Sequence, residues 1–423
     1  MPHDSIPLPV RLLTSWGVFV FFAAMFAIPS GYSYGAVLLL VGSAYYLATN
    51  PRLTPWESAD HTLIAALVAY FAVPSLMTWW LGNNPTDVDQ YFRALLAVPI
   101  FLMLRSCPIR LPILWAGIVL GVVLSAPLAW WQVEFQGWER AAGFLNIIHF
   151  SNLTLVFTIF CVGGLYWAPT QGRHARHWQL AFALGIVCGL YSVILGGSRG
   201  SWVALPPVVL VFLAAFLSRR NALRLMLIAL AAAVVIAGIF AMPDSPLRAR
   251  YERGVQDITL YQQSNTDTSI GARFEMWRGA LTNLQQHPLM GWNLRDYTQA
   301  LQGQIEAGQL TPIALEFNDN LHNNYLQAWV FTGLPGLLAL LALYAVPLCH
   351  FGRRLRDSDL TVKVLAFCGT SVVVSYLCFC LTQVVLRRNN GIMFYLLAVI
   401  ILWGAMRQAR MAAEAGHQSD KTA

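Results

Sequence analysis

EFNDNLHNNYLQAWVFTGLPG (Glu316–Gly336) opens as a polar loop and closes inside an apolar run that continues to Cys349. About 20 consecutive apolar residues cross the hydrocarbon core of a bilayer as a helix, and the run from Asn324 to Cys349 meets that length. The stretch is therefore a water-to-lipid boundary, and His322-Asn323-Asn324-Tyr325 stands where desolvation begins to cost. Runs of similar length recur along the 423 residues, of which 57% are hydrophobic and only 11% charged. This pattern predicts an all-α, polytopic membrane protein.

Hydropathy, with Pro, Gly and charges as punctuation, predicts about twelve spans. Their cores are 12–28, 32–48, 61–81, 91–105, 111–132, 149–168, 178–195, 200–217, 223–242, 324–349, 362–385 and 391–406. Spans one to nine occupy 1–242, one large polar segment occupies 243–321, spans ten to twelve occupy 322–407, and 408–423 is a small, polar tail expected to lack order. The apolar stretch after Arg11 has no A-x-A cleavage signal behind it and reads as a retained first helix. Six of the seven cysteines lie in apolar segments and Cys107 in a short loop, so neither a disulfide framework nor a thiolate metal site is implied.

Basic residues outnumber acidic ones, 27 to 20, and only Lys363 and Lys421 are lysines. The charge is scattered among membrane loops, unlike the clustered patch of a nucleic-acid binder. With both termini in the cytoplasm, the short outer loops keep only Arg93, Arg140, Arg199, Arg387 and Arg388, as the positive-inside rule asks. The large segment is then periplasmic. Within it, Gln262–Ser269 is polar and aperiodic, whereas Phe274, Trp277, Leu281 and Leu284 form one stripe of an amphipathic helix ended by Pro288, suited to lie on a membrane surface.

Arginine held at the outer side against the orientation rule calls for a reason. GGSRGSW (Gly196–Trp202) fixes Arg199 in a tight turn, LRRNNG (Leu386–Gly391) does so for Arg387 and Arg388, and Arg273 and Arg278 ride on the amphipathic helix. Guanidinium forks of this kind suit a pyrophosphate, although any one of them also fits snorkelling to lipid phosphate, the reading preferred for Arg93, Arg140 and Arg278. His322 is either an interfacial residue beside a helix capped by Asp319 or Asn320, or a proton acceptor for chemistry near neutral pH. Asp87-Val88-Asp89 has the D-x-D spacing of some metal-diphosphate sites, but beside Asn83-Asn84-Pro85-Thr86 it reads better as a solvated turn. Glu316, Asp319 and His322 lack the fourth partner that a metal site needs.

Taken together, these motifs resemble the bacterial O-antigen ligases, within the wider O-antigen ligase and polymerase superfamily of integral-membrane glycosyltransferases. The resemblance rests on about twelve helices with one large late loop, and on HNNYLQAWVFTGLPG, which fits the family's His, small polar residue, nine others and Gly-x-x-Gly at Gly333 and Gly336. GSRG (Gly197–Gly200) and Arg273 also match family positions. HPLMGWN departs from it, since Gly291 is followed by Trp292 and Asn293 where many relatives have Gly-x-Gly.

The resemblance implies a GT-C-like fold in the bacterial inner membrane with its site at the periplasmic face. It implies transfer of O-antigen from undecaprenyl pyrophosphate to a sugar hydroxyl of lipid A-core, without a metal or other cofactor and with inversion. His322 would be the base, Arg199 and Arg273 with Arg387 or Arg388 would bind the pyrophosphate, and Asn323 and Tyr325 would orient base or sugar or simply pack. Three alternatives stand beside it. An O-antigen polymerase or a protein O-oligosaccharyltransferase shares the superfamily, although the latter tends to carry C-terminal sequence absent here, and a transporter of polyprenyl-linked glycan is the rival from another class. No internal repeat of the kind common in transporters is visible.

Overall fold

The computed structural model describes residues 6–49, 54–242, 245–263 and 265–422. Arg52, the first residues of the large loop and Ser264 lie outside them. Among the described residues every regular element is a helix. Helices α1 (Leu8–Ala23), α2 (Gly31–Thr49), α3 (Ser58–Trp80), α4 (Asp89–Leu104), α5 (Leu111–Glu134), α6 (Ile147–Trp167), α7 (Ala175–Gly196), α8 (Arg199–Phe216) and α9 (Ala222–Ala241) precede the loop. The loop itself folds into α10 (Pro246–Gln262), α11 (Ser269–Gln286), α12 (Leu294–Glu306) and α13 (Ile313–Glu316). Last come α14 (Asn324–Gly352), α15 (Leu360–Phe379) and α16 (Asn389–Thr422).

A helix stands at each of the twelve expected spans. Among the described residues, seven helical segments are long and apolar enough to cross a membrane by length and composition, one of them Ile147–Gly196, which contains both α6 and α7. The chain is a polytopic all-α membrane protein. Helix α4 has only 16 residues, about 24 Å at 1.5 Å per residue, and is short for a 30 Å core.

Burial follows the breadth of each apolar face. Helices α6 and α15 are buried through most of their length and α16 through Met406, as expected of helices apolar all round, while α8 shows one buried stripe of Ser201, Ala204 and Val208. Phe21, Phe22, Phe26, Phe157 and Phe394 interlock edge-to-face and stacked at the centre, tying α1, α6 and α16 together. A second, smaller core belongs to the loop: Met276, Ala280 and Leu284 of α11 close on Tyr297 and Leu301 of α12 and on Val330 of α14.

The structure departs from the sequence reading in three places. The buried stripe of α11 is Ala272, Met276, Ala280 and Leu284, while Leu281 is 50% exposed, so the helix packs chiefly into the loop's own core rather than displaying the expected stripe to a membrane. Helix α15 ends at Phe379, and the chain turns through Cys380–Thr382 although its apolar composition runs on to Leu386. The tail after Arg410 continues α16 to Thr422, since Met411-Ala412-Ala413-Glu414 are good helix formers and Arg410 faces Glu414 one turn on.

Candidate functional site

The site is organised by the entry into α14. Asn323 caps the helix, its Oδ1 accepting from Tyr325 N at 3.0 Å and Leu326 N at 3.1 Å, so Asn323 and not Asp319 or Asn320 is the cap. Asn324 joins the turn after α15: its N donates to Cys380 O and its Oδ1 accepts from Leu386 N. Tyr325 turns inward, its hydroxyl donating to Leu377 O at 2.8 Å.

His322 is left with φ +47°, one of two described non-glycine residues in the left-handed region. Asn320 Oδ1 supports the turn by accepting from His322 N. Its imidazole is enclosed by neighbours from separate elements, with Arg273 of α11 and the Gln383 carboxamide beside it. Neither His322 Nδ1 nor Gln383 Oε1 has a hydrogen-bond partner of good geometry, although the amide is near enough to favour the charged ring. Burial and the positive charge of Arg273 outweigh that pull and hold the imidazole pKa below the ordinary histidine range. The ring is therefore neutral near pH 7, with an unoccupied nitrogen.

Arg199 and Arg273 come together behind it. Gly197, at φ +56°, ends α7 in the left-handed conformation, and Arg140 fastens the turn by donating to Gly196 O at 2.9 Å and Gly197 O at 3.0 Å. This turn aims Arg199 at α10, where it meets Asp257 at 3.1 Å and leaves Nη1 buried without a hydrogen bond. Burial and, after it, the charge of Arg199 disfavour the charged form of Arg273, and Asp257 opposes them. Asp257 is thus ion-paired with Arg199 and acts on Arg273 only through its charge, an arrangement with positive charge left over for an anion.

Arg387 and Arg388 are placed elsewhere. Arg387 donates to both the backbone and the carboxylate of Asp319, the latter at 3.1 Å, and faces a cleft between α3, α4 and α14. That cleft also carries Asp87, Asn83, Gln90, Tyr91 and Gln327. Burial raises the pKa of Asp87, with Arg387 lowering it and Asp319 raising it. Arg388 acts on the buried His149 of α6 instead. Asp89 is paired with Arg93 at 2.7 Å, so the two acids of the D-x-D stretch have separate partners. Among the described residues no group of three His, Cys, Asp or Glu side chains is placed to hold a metal ion.

The sequence reading missed Gln383, which hydropathy assigned to a span, and Gly291, whose neighbours departed from the expected pattern. Gly333 interrupts α14 at φ +65°, freeing Val330 O to accept from Trp292 N at 2.6 Å and Leu334 N to donate to Leu289 O at 2.9 Å. A Cβ on Gly291 would stand 2.5 Å from Val330 O, and one on Gly333 would stand 2.5 Å from Leu289 O. The two glycines therefore let the end of the loop dock on broken backbone of α14. Trp277 Nε1 donates to Leu321 O, which ties α11, the helix carrying Arg273, to the residue before His322.

Fold and cluster define a polytopic membrane protein with a positively charged, half-enclosed site around a neutral histidine. The family model described as O-antigen ligase matches residues 184–341, a stretch running from α7 through Arg199, Arg273 and His322 into α14. An uncharacterized protein from Haemophilus influenzae is 28% identical over 94% of this chain and 98% of its own length. The O-antigen ligase of Escherichia coli is 26% identical over 44% of this chain and 45% of its own length. One of the NADH-quinone oxidoreductase subunits of Syntrophobacter fumaroxidans is 30% identical over 30% of this chain and 97% of its own length. In a chain this apolar, likeness over less than a third of its length has no bearing on the site. The family match and the Escherichia coli relative both support a likeness to the O-antigen ligase superfamily.

Proposed function

We propose that the protein is an O-antigen ligase, transferring a glycan from undecaprenyl pyrophosphate to a sugar hydroxyl of lipid A-core at the periplasmic face of the inner membrane. The observation that carries this reading is the grouping of Arg199, Arg273 and His322 from α8, α11 and the α14 entry, two guanidiniums with Asp257 between their charges beside a neutral proton acceptor. Both substrates are amphiphiles with polar heads, and this end of the bundle offers a polar rim over apolar helices.

In the reaction, His322 removes the proton of the acceptor hydroxyl, whose oxygen attacks the anomeric carbon. The bond from that carbon to the pyrophosphate oxygen breaks with inversion, and Arg199 and Arg273 balance the charge on the departing pyrophosphate. Arg387, engaged with Asp319, serves the cleft instead. Its carboxylates, amides and Tyr91 suit sugar hydroxyls and a sugar face, so we assign it to glycan.

The test mixes purified protein, undecaprenyl pyrophosphate-linked O-antigen and rough lipopolysaccharide in detergent and follows the glycan by gel. A ladder on lipid A-core is the expected result. Longer glycan on the polyprenyl carrier would make the protein a polymerase, and unchanged substrates would return the transporter reading.

A further inference from the structure

At the end of the bundle opposite His322, charged side chains are packed where the start of α3 meets the ends of α4 and α14 and the Trp403–Arg410 stretch of α16. Asp60, 1% exposed, lies 3.1 Å from Arg105 and is bonded to Arg407, and Trp403 Nε1 donates to it at 3.4 Å. Arg105 is stacked 3.9 Å over the Trp56 ring. Glu57, at the N-cap of α3, is paired with Arg410 and lies 3.5 Å from Arg407 Nε.

Beside this clasp a small cleft is lined by Glu57, His350, Trp403, Arg354, Arg407 and Arg410. Its wall holds three guanidiniums and one carboxylate. The other acids nearby, Asp60 on Arg407, Asp357 on Arg354 and Glu414 on Arg410, belong to the surroundings and not to the lining. Arg407 is 4% exposed, and its Nε is buried without a hydrogen bond, as are Arg410 Nε and His350 Nε2. The His350 ring is held flat against Trp403, with centroids 3.5 Å apart. Buried guanidinium N–H groups are costly to leave without an acceptor, and an oxyanion supplies several at once.

We propose that this cleft binds a phosphate group, as carried by the headgroup of an anionic phospholipid or by free phosphate. The cleft lies at helix ends, between Gly352 closing α14 and the α16 residues after Trp403, the level at which hydrocarbon gives way to headgroups. A bound phosphate bridges α14 and α16 through Arg354, Arg407 and Arg410. The assignment is independent of the glycan chemistry at the other end.

The experiment places the full chain in nanodiscs of phosphatidylcholine with phosphatidylglycerol or cardiolipin and counts retained lipids by native mass spectrometry. A parallel arm measures the shift in Tm on adding inorganic phosphate in detergent. Selective retention of anionic lipid assigns the phosphate to the membrane, and stabilisation by inorganic phosphate without lipid selectivity assigns it to the free ion. Arg354→Gln and Arg410→Gln should each weaken the preference about fivefold, the effect of one basic side chain at a membrane surface. Arg354→Gln leaves the Asp60 clasp intact and keeps the test valid if Arg410→Gln fails to fold. Equal retention of anionic and zwitterionic lipids with no shift by phosphate would overturn the proposal. So would a folded Arg354→Gln protein with wild-type preference.

Discussion

At the scale of single residues, the site depends on a histidine kept neutral by its surroundings. His322 is in the left-handed backbone region, which asparagine also tolerates. His322→Asn should therefore keep the turn, insert normally and lower the transfer rate by about 10²–10⁴, the range of general-base assistance. An asparagine variant with the wild-type rate would remove His322 from the chemistry. Burial and Arg273 depress the His322 pKa, so the protonated form appears only below the ordinary histidine range of about 6.5. Transfer should stay level as pH falls through neutrality and decline only further down. Arg273→Gln removes a positive charge that disfavours protonation and should move this decline to higher pH, measurable as kcat/KM against pH on the residual activity. Arg273→Lys keeps the charge but loses the planar fork, and a large loss of turnover with normal folding is expected.

At the scale of elements, α14 is one helix interrupted by design at Gly333. Its φ of +65° with ψ of −176° is backbone that glycine alone adopts readily. Gly333→Ala would add a Cβ within 2.5 Å of Leu289 O, and strain with overpacking should cost roughly 2–4 kcal/mol. The loss should appear as a lower Tm and freer proteolysis of the loop, since the Trp292–Val330 and Leu334–Leu289 hydrogen bonds hold that loop to the helix. A wild-type Tm for this variant would mean the junction relaxes easily. The same junction explains why Gly291 matters despite its unusual neighbours: its close approach to α14 is backbone to backbone.

At the scale of the molecule, the polar chemistry gathers at two ends of an apolar bundle. The end with the loop holds His322 and its arginines, and the far end holds the Asp60 clasp. If the termini are cytoplasmic, Gln302→Cys on exposed α12 should react with an impermeant maleimide in spheroplasts, and Arg356→Cys should react only after lysis. Replacing Cys349, exposed near Arg356, with Ser removes the background. Reversed labelling would invert the topology and move the proposed reaction to the cytoplasmic face.

Hydropathy determined the helical class and the place of each apolar helix, because a chain in lipid must satisfy its backbone within helices and each one needs a run of apolar residues. The glycine turn at Arg199 and the polar entry at His322 were legible for the same reason, as local departures from that rule. Composition could not show that α15 stops at Phe379 and brings the buried Gln383 beside His322, since an apolar loop packed against protein has the same hydropathy as a helix in lipid. It also could not show which arginines meet. Arg199 and Arg387 have similar turns around them, yet one reaches Asp257 of α10 and the other Asp319. Those partners are 58 and 68 residues away in sequence. Only the packing of the loop onto the broken helix α14 decides such pairings, because they depend on distances set by the whole fold and not by neighbours along the chain.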